Sequence, residues 1–290
     1  MKQALEAPAI SLARPQRLED AIVMLRDGSR LLAGGCDLLP ALCQGQLAAQ
    51  LVSLADVPGL ETVVAHPRLG LRVGANVPAA RLLTEIWAGK RFAAVHESIE
   101  FMEPPYVANM GTLVGNVVAA RPESDLGLAL LAMEGVLEIV GVNGPRRIPL
   151  TDFYDNKGRL ERGDIAVAVT CPGPGTDGGS AFKKLALVRR FAADPGKLGA
   201  AATIIYGPER ERIRSATLAL GGICLPRRFP AIEAQLVGEL PDPVRFLHLA
   251  KEAISKVEAD MRPATRRMAI TLMVIGVPSL HWRSSRRVNV

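Results

Sequence analysis

Hydrophobic and polar positions follow two different periods along the chain, and the switches between them mark the elements. Leu18, Ala21, Ile22 and Leu25 keep the i, i+3, i+4, i+7 spacing of a one-faced helix, which Asp27-Gly28 ends. A short apolar strand at 30–33 runs into Gly34-Gly35, and a second helical stretch carries Leu38, Leu39 and Leu42. Residues 50–54 read as another buried strand, so residues 1–57 make a small α/β lobe. After Pro58-Gly59 the runs shorten. Residues 61–65 and 69–73 predict strands around a His66-Pro67 turn. Helical patterns cover 78–87 and 94–102, and a loop rich in turn residues spans 103–115. Residues 136–142 and 146–149 predict a hairpin across Asn143-Gly144, a dipeptide that tolerates the positive φ of a tight turn. A strand at 165–171 closes this second lobe, 58–176.

The stretch Pro172-Gly173-Pro174-Gly175-Thr176-Asp177-Gly178-Gly179 is the clearest linker. Strands at 181–187, 200–206 and 213–220 follow it, then helical patterns at 244–258 and 265–275. Strands first and helices afterwards give residues 177–290 an α+β character, and the whole chain is α+β. It contains no internal repeat.

With 290 residues, 49% apolar and 22% charged, the chain has enough material for two domains with a sizeable core, which excludes disorder. The 4% of aromatic residues disfavours a single-stranded nucleic-acid binder built on stacking. The net charge of +6 has a local origin. Residues 1–260 carry as many basic as acidic side chains, and the excess sits on Arg262, Arg266, Arg267, Arg283, Arg286 and Arg287. So sparse a set reads as a solvated or partner-facing end rather than a nucleic-acid surface. Cys36, Cys43, Cys171 and Cys224 lack CxxC spacing, and no signal-peptide pattern opens the chain. Reduced thiols and a cytoplasmic location are expected. The longest apolar stretch, 268–280, is too short to span a bilayer. A mean hydropathy of +0.19 suggests surface covered by another subunit.

Two glycine-bearing loops carry the candidate chemistry. The first, Leu31-Leu32-Ala33-Gly34-Gly35-Cys36-Asp37-Leu38, lies between a strand and a helix. The second is Gly111-Thr112-Leu113-Val114-Gly115-Asn116, followed after a spacer by Ser124-Asp125-Leu126. Glycine lets a main chain approach a phosphate and aim N–H groups at it, and each loop is equally readable as an ordinary tight turn. The GxGxxG match at 173–178 leads into a strand pattern, and GxxxxGK[ST] is absent, so Rossmann and P-loop readings fail. His66, His96, His248 and His281 show no metal-ligand spacing. Cys43, Cys171 and Cys224 read as core thiols, while Cys36 in the first loop is open to a reactive role. Phe101 and Tyr106 fit either a ring-binding wall or the core. No nucleophile–base–acid set is present, so the chain is not read as a hydrolase.

Taken in order, the first loop, the second loop, Ser124-Asp125-Leu126 and Ala181-Phe182-Lys183-Lys184 resemble the FAD-binding middle subunit of the molybdenum hydroxylases. That family includes xanthine dehydrogenase, carbon monoxide dehydrogenase and 4-hydroxybenzoyl-CoA reductase. The likeness runs from Pro15-Gln16-Arg17-Leu18 through Leu218-Ala219-Leu220-Gly221-Gly222 to the arginine-bearing end. It implies a two-lobed α/β FAD-binding domain of the PCMH/VAO type over residues 1–176, then a small α+β domain. It also implies that Leu31 to Leu38 wrap the FAD diphosphate, and that Thr112, Gly115 and Asn116 serve the same cofactor. Asp125 would hold FAD hydroxyls, Ala166 would make a main-chain contact, and Lys183 would lie on the flavin side.

Partners implied by the resemblance are a large molybdopterin-binding subunit and a small subunit with 2Fe-2S clusters, with NAD or another molecule as acceptor. No metal site, nucleic-acid partner or membrane span is expected on this chain. Two departures stand out. Val114 occupies a place where relatives carry glycine; it is costly if that position needs positive φ and harmless if the loop is extended. Cys36 replaces a usual threonine. Both motivate an alternative, a flavin-free structural subunit; a stand-alone FAD-dependent reductase is a further one.

Overall fold

The computed structural model describes residues 10–25, 29–44, 50–66, 70–85, 92–102, 105–186, 197–209, 211–222, 224–242, 244–245 and 248–249. The arginine-bearing end, and most of the two helical patterns expected beyond 244, lie outside these residues.

Three sheets organise the described residues. The first comprises β1 (Ser11–Ala13), β2 (Arg30–Leu32) and β3 (Gln50–Ser53), with α1 (Leu18–Met24) and α2 (Leu38–Cys43) between them in the chain. Its strands are parallel in the order β1-β3-β2, so a helix must carry the chain back between strands. The alternating pattern did not reveal β1, which is only three residues long and mostly exposed.

Next come β4 (Val63–His66), β5 (Gly70–Gly74), and five helices: α3 (Arg81–Glu85), α4 (Ala93–Glu100), α5 (Pro105–Met110), α6 (Leu113–Val118) and α7 (Asp125–Ala132). After them follow β6 (Val136–Gly141), β7 (Gly144–Pro149), α8 (Leu150–Asp155) and β8 (Ile165–Cys171). The strands form an antiparallel sheet in the order β4-β5-β8-β6-β7. The predicted hairpin is β6–β7, turning at Gly144 with φ +88°. The stretch expected to be a loop at 103–115 instead contains α5 and the start of α6. Pro105 stands at the first helical position, where a missing N–H is harmless, so proline starts this helix rather than breaking it. All eight residues of α7 are buried, which is why it shows no one-faced pattern in the sequence.

The third sheet is antiparallel, β12-β11-β10-β9, from β9 (Gly178–Ala186), β10 (Lys197–Tyr206), β11 (Ile213–Gly221) and β12 (Arg227–Arg228), and α9 (Pro230–Leu236) packs on β11. Gly178 and Gly179, expected in the linker, already pair with Ile205 and Ile204. α7 docks on this sheet through a socket. Gly199 and Gly221 pair across β10 and β11, and a Cβ on Gly199 would lie 2.8 Å from Leu128 Cδ2. The Thr217 hydroxyl donates to the Ala132 carbonyl at the end of α7. α4 is stitched to β9: the Ser180 hydroxyl oxygen accepts the Ala94 N–H at 3.1 Å, and the Glu97 carboxylate accepts the Phe182 N–H at 2.8 Å. Helices α4 and α7 thus tie the third sheet to the remainder of the core.

Candidate functional site

The two glycine loops meet. β2 leads into Ala33-Gly34-Gly35, and the chain turns at Cys36-Asp37 into α2. Gly34 lies flat against the second loop: a Cβ there would stand 2.1 Å from the Met110 carbonyl oxygen and 3.0 Å from Gly111 Cα. Gly35 has φ +75°, a conformation that side-chain-bearing residues adopt at a cost. Gly111 is also confined, a Cβ there standing 2.8 Å from the Val107 carbonyl oxygen, to which its N–H donates at 2.7 Å. The Thr112 hydroxyl oxygen caps α6 by accepting the Gly115 N–H at 3.0 Å.

A cavity of about 550 Å³ opens between the loops. Every predicted residue of the first loop, Leu31, Leu32, Ala33, Gly34, Gly35, Cys36, Asp37 and Leu38, lines it, with Thr112, Gly115, Asn116 and Ala166. Leu54, Met102, Val107, Leu160 and Asp164, none of them singled out in the sequence, also line it. These come from distant parts of the chain, and no local signal marks them. A second cavity of about 430 Å³ shares Asp37, Met102, Val107, Asn116 and Ala119 with the first and adds Phe101, Arg121, Glu123, Ser124, Asp125 and Lys184. Both volumes fall within the roughly 300–1,000 Å³ of small-molecule sites.

Hydrogen bonds fix the polar side chains of the second cavity. The Ser124 hydroxyl donates to the Asn116 main-chain carbonyl and lies 2.8 Å from Asn116 Oδ1. Asp125, the first residue of α7, is buried and forms an ion pair with Lys184. Lys183 behaves differently from expectation. It lines neither cavity, and its Nζ stands 3.8 Å from Glu97. Successive side chains of a strand point to opposite faces, so in β9 only one of the two adjacent lysines can face Asp125, and it is Lys184.

The two departures have structural answers. Val114 lies in the first turn of α6, buried, and is not among the residues with positive φ, so valine is accommodated there. Cys36 Sγ is 3.8 Å from the Val107 carbonyl oxygen, and partial burial together with the charge of Asp37 pushes its thiol pKa up. That argues against a reactive thiol. Cys171 is buried and its thiol is pushed up to about 12 by burial, as a core thiol should be. Cys43, expected in the core, is exposed, because α2 buries none of its residues. Phe101 lines the second cavity and packs on Phe182 at 5.8 Å between ring centroids, whereas Tyr106 is exposed and lines neither cavity. Among the described residues no group of side chains is arranged to hold a metal ion, and no helix is long and apolar enough to cross a membrane.

Residues 8–174 match a protein family described as the FAD binding domain in molybdopterin dehydrogenase. The carbon monoxide dehydrogenase medium chain of Afipia carboxidovorans is 26% identical over 179 residues, which is 59% of this chain and 62% of that one. The nicotine 6-hydroxylase medium subunit of Paenarthrobacter nicotinovorans is 28% identical over 260 residues, 87% of this chain and 88% of that one. Among solved structures, carbon monoxide dehydrogenase from Hydrogenophaga pseudoflava superposes with a TM-score of 0.84 at 21% identity, over 97% of this chain and 99% of the other. Quinoline 2-oxidoreductase from Pseudomonas putida 86 gives 0.83 at 23% identity, over the same shares. At these identities the superpositions establish the fold.

Proposed function

The chain belongs to the family of FAD-binding domains in molybdopterin dehydrogenases, and from that premise we propose that it is the FAD-binding medium subunit of a molybdenum hydroxylase complex. In this reading its partners are a large molybdopterin-binding subunit and a small subunit carrying 2Fe-2S clusters. The cofactor region is residues 1–176, in lobes 1–57 and 58–176, and residues 177–290 form the C-terminal domain of a cytoplasmic complex.

The residues present suit FAD. Glycines 34 and 111 bring two main-chain segments into contact, so that residues 31–38 edge one cavity with Thr112, Val114, Gly115 and Asn116. Leu54, Val107, Leu160 and Ala166 give that cavity an apolar wall for a planar ring. The adjoining cavity holds Ser124, Asp125 and Lys184, donors and acceptors suited to hydroxyls and ring heteroatoms. Bound FAD supplies the electron-carrying chemistry, between the partner's clusters and NAD or another acceptor.

This chain's own work is to bind, orient and shield. The cavity-lining main chain of the first loop would hold the diphosphate, Asp125 the hydroxyls, and Lys184 would set the charge beside the ring. The meeting of the two glycine loops in one cavity carries the proposal. The test is the visible absorbance of the chain purified with its neighbouring subunits, with chromatography of the released cofactor. One FAD per chain is expected. An intact, cluster-loaded complex without flavin would overturn the relay and leave a structural subunit.

A further inference from the structure

Asp37 is the only acidic residue among residues 31–38, and it lines both cavities. A negative charge there works against any phosphate drawn to the loop, because like charges this close repel. The structure answers it with Arg121, whose guanidinium lies 2.8 Å from the Asp37 carboxylate. The two residues are far apart in sequence, and the turn that presents Arg121 is unusual. Ala120, just before Arg121, has φ +44°, in the left-handed region that non-glycine residues adopt only under constraint. Gly158 makes room for it: a Cβ on Gly158 would overlap the Ala120 methyl, at 2.0 Å. Arg121 and Asp37 stay 53% and 41% exposed, so their pairing contributes little to stability. The other cation on the second cavity, Lys184, is already engaged by Asp125.

We propose that Arg121 is a specificity-determining counter-ion: it cancels the charge of Asp37 and so admits a diphosphate-bearing flavin to the first loop. The proposal rests on the FAD reading above. It predicts that Arg121 matters for the phosphates and only through Asp37.

The test uses the full chain purified with its neighbouring subunits and stripped of flavin. FAD and riboflavin are titrated by fluorescence into the wild type, Arg121→Gln, Arg121→Lys, Asp37→Asn and the double variant Asp37→Asn/Arg121→Gln. Arg121→Gln should weaken FAD about tenfold, and Arg121→Lys should stay within about threefold of the wild type. In the Asp37→Asn background, Arg121→Gln should have no further effect, and no variant should change riboflavin binding. Equal loss in both backgrounds would mean that the guanidinium touches the ligand itself, which overturns the counter-ion role. Equal loss for riboflavin, or no loss at all, overturns it too. A wild type that takes up neither flavin sinks the FAD reading and this inference together, whereas FAD uptake without coupling sinks the inference alone. Melting temperatures within about 2 °C of the wild type, as expected for exposed side chains, separate a binding effect from misfolding.

Discussion

The two glycine loops look alike in sequence and are built on different principles. The second is largely self-supporting: Thr112 caps α6 through the Gly115 N–H, and Ser124 ties Asn116 to the start of α7. The first has no such internal support. Asp37 stands at the N-cap of α2 yet makes no capping bond, and α2 buries none of its residues. Its shape comes from Gly35 at positive φ and from Gly34 leaning on the Met110 carbonyl. One loop is therefore a local structure, and the other is moulded by its neighbour. Damage should pass from the second to the first more readily than the reverse.

The largest effect should come from breaking the contact itself. Gly34→Val puts a branched side chain into the Met110 carbonyl and should cost about 3 kcal/mol, with loss of the flavin. The space it fills is the protein's own rather than the cavity, so the loss should appear in urea unfolding as well as in flavin content. A flavin-free variant of full stability would contradict this. Next is the anchor behind the second loop. Lys184→Met should cost about 2–3 kcal/mol by thermal unfolding, below the full penalty for orphaning a buried charge because about a tenth of each side chain still meets solvent. The same change at Lys183, which is more exposed, should cost under about 1 kcal/mol; equal costs would dissolve the assignment of faces in β9.

A smaller effect is expected at the cap. A Cβ on Gly115 would come within 2.7 Å of Thr112 Oγ1, so Gly115→Ala should displace the capping hydroxyl and cost about 1 kcal/mol. Faster amide exchange confined to α6 would report it, while exchange spreading through α2 would show that the first loop leans on the second. The subtlest test is chemical. Iodoacetamide should modify exposed Cys43 before Cys36, whose thiol is partly buried and harder to ionise, as peptide mass spectrometry can follow. The opposite order would place Cys36 on an open, mobile loop.

Much of this was legible in the residues because it is local. Asn143-Gly144 announces the β6–β7 turn, and the alternation of buried and less buried residues along β6 fits a strand with one face on the core. Gly34-Gly35 after a short apolar run marks a strand-to-helix turn, and twelve of the fourteen residues that the family resemblance implies for the cofactor line one cavity. What escaped is non-local. Pro105 reads as a breaker until one sees that it opens α5. The apolar wall at Leu54, Met102 and Leu160 is assembled from segments that carry no mark of their own. Alternation in β9 says that Lys183 and Lys184 face opposite ways, and only the position of α7 decides which of them meets Asp125.

The Asp125–Lys184 pair also bears on where this protein can be cut. The match to the FAD-binding family ends at 174, ten residues short of the lysine. An excised piece ending there would keep both glycine loops and the aspartate while losing its cation, along with the sheet into whose glycine socket Leu128 fits. The cofactor-binding segment is thus not an interchangeable cartridge. A chimera that keeps the site intact must take its crossover beyond β11.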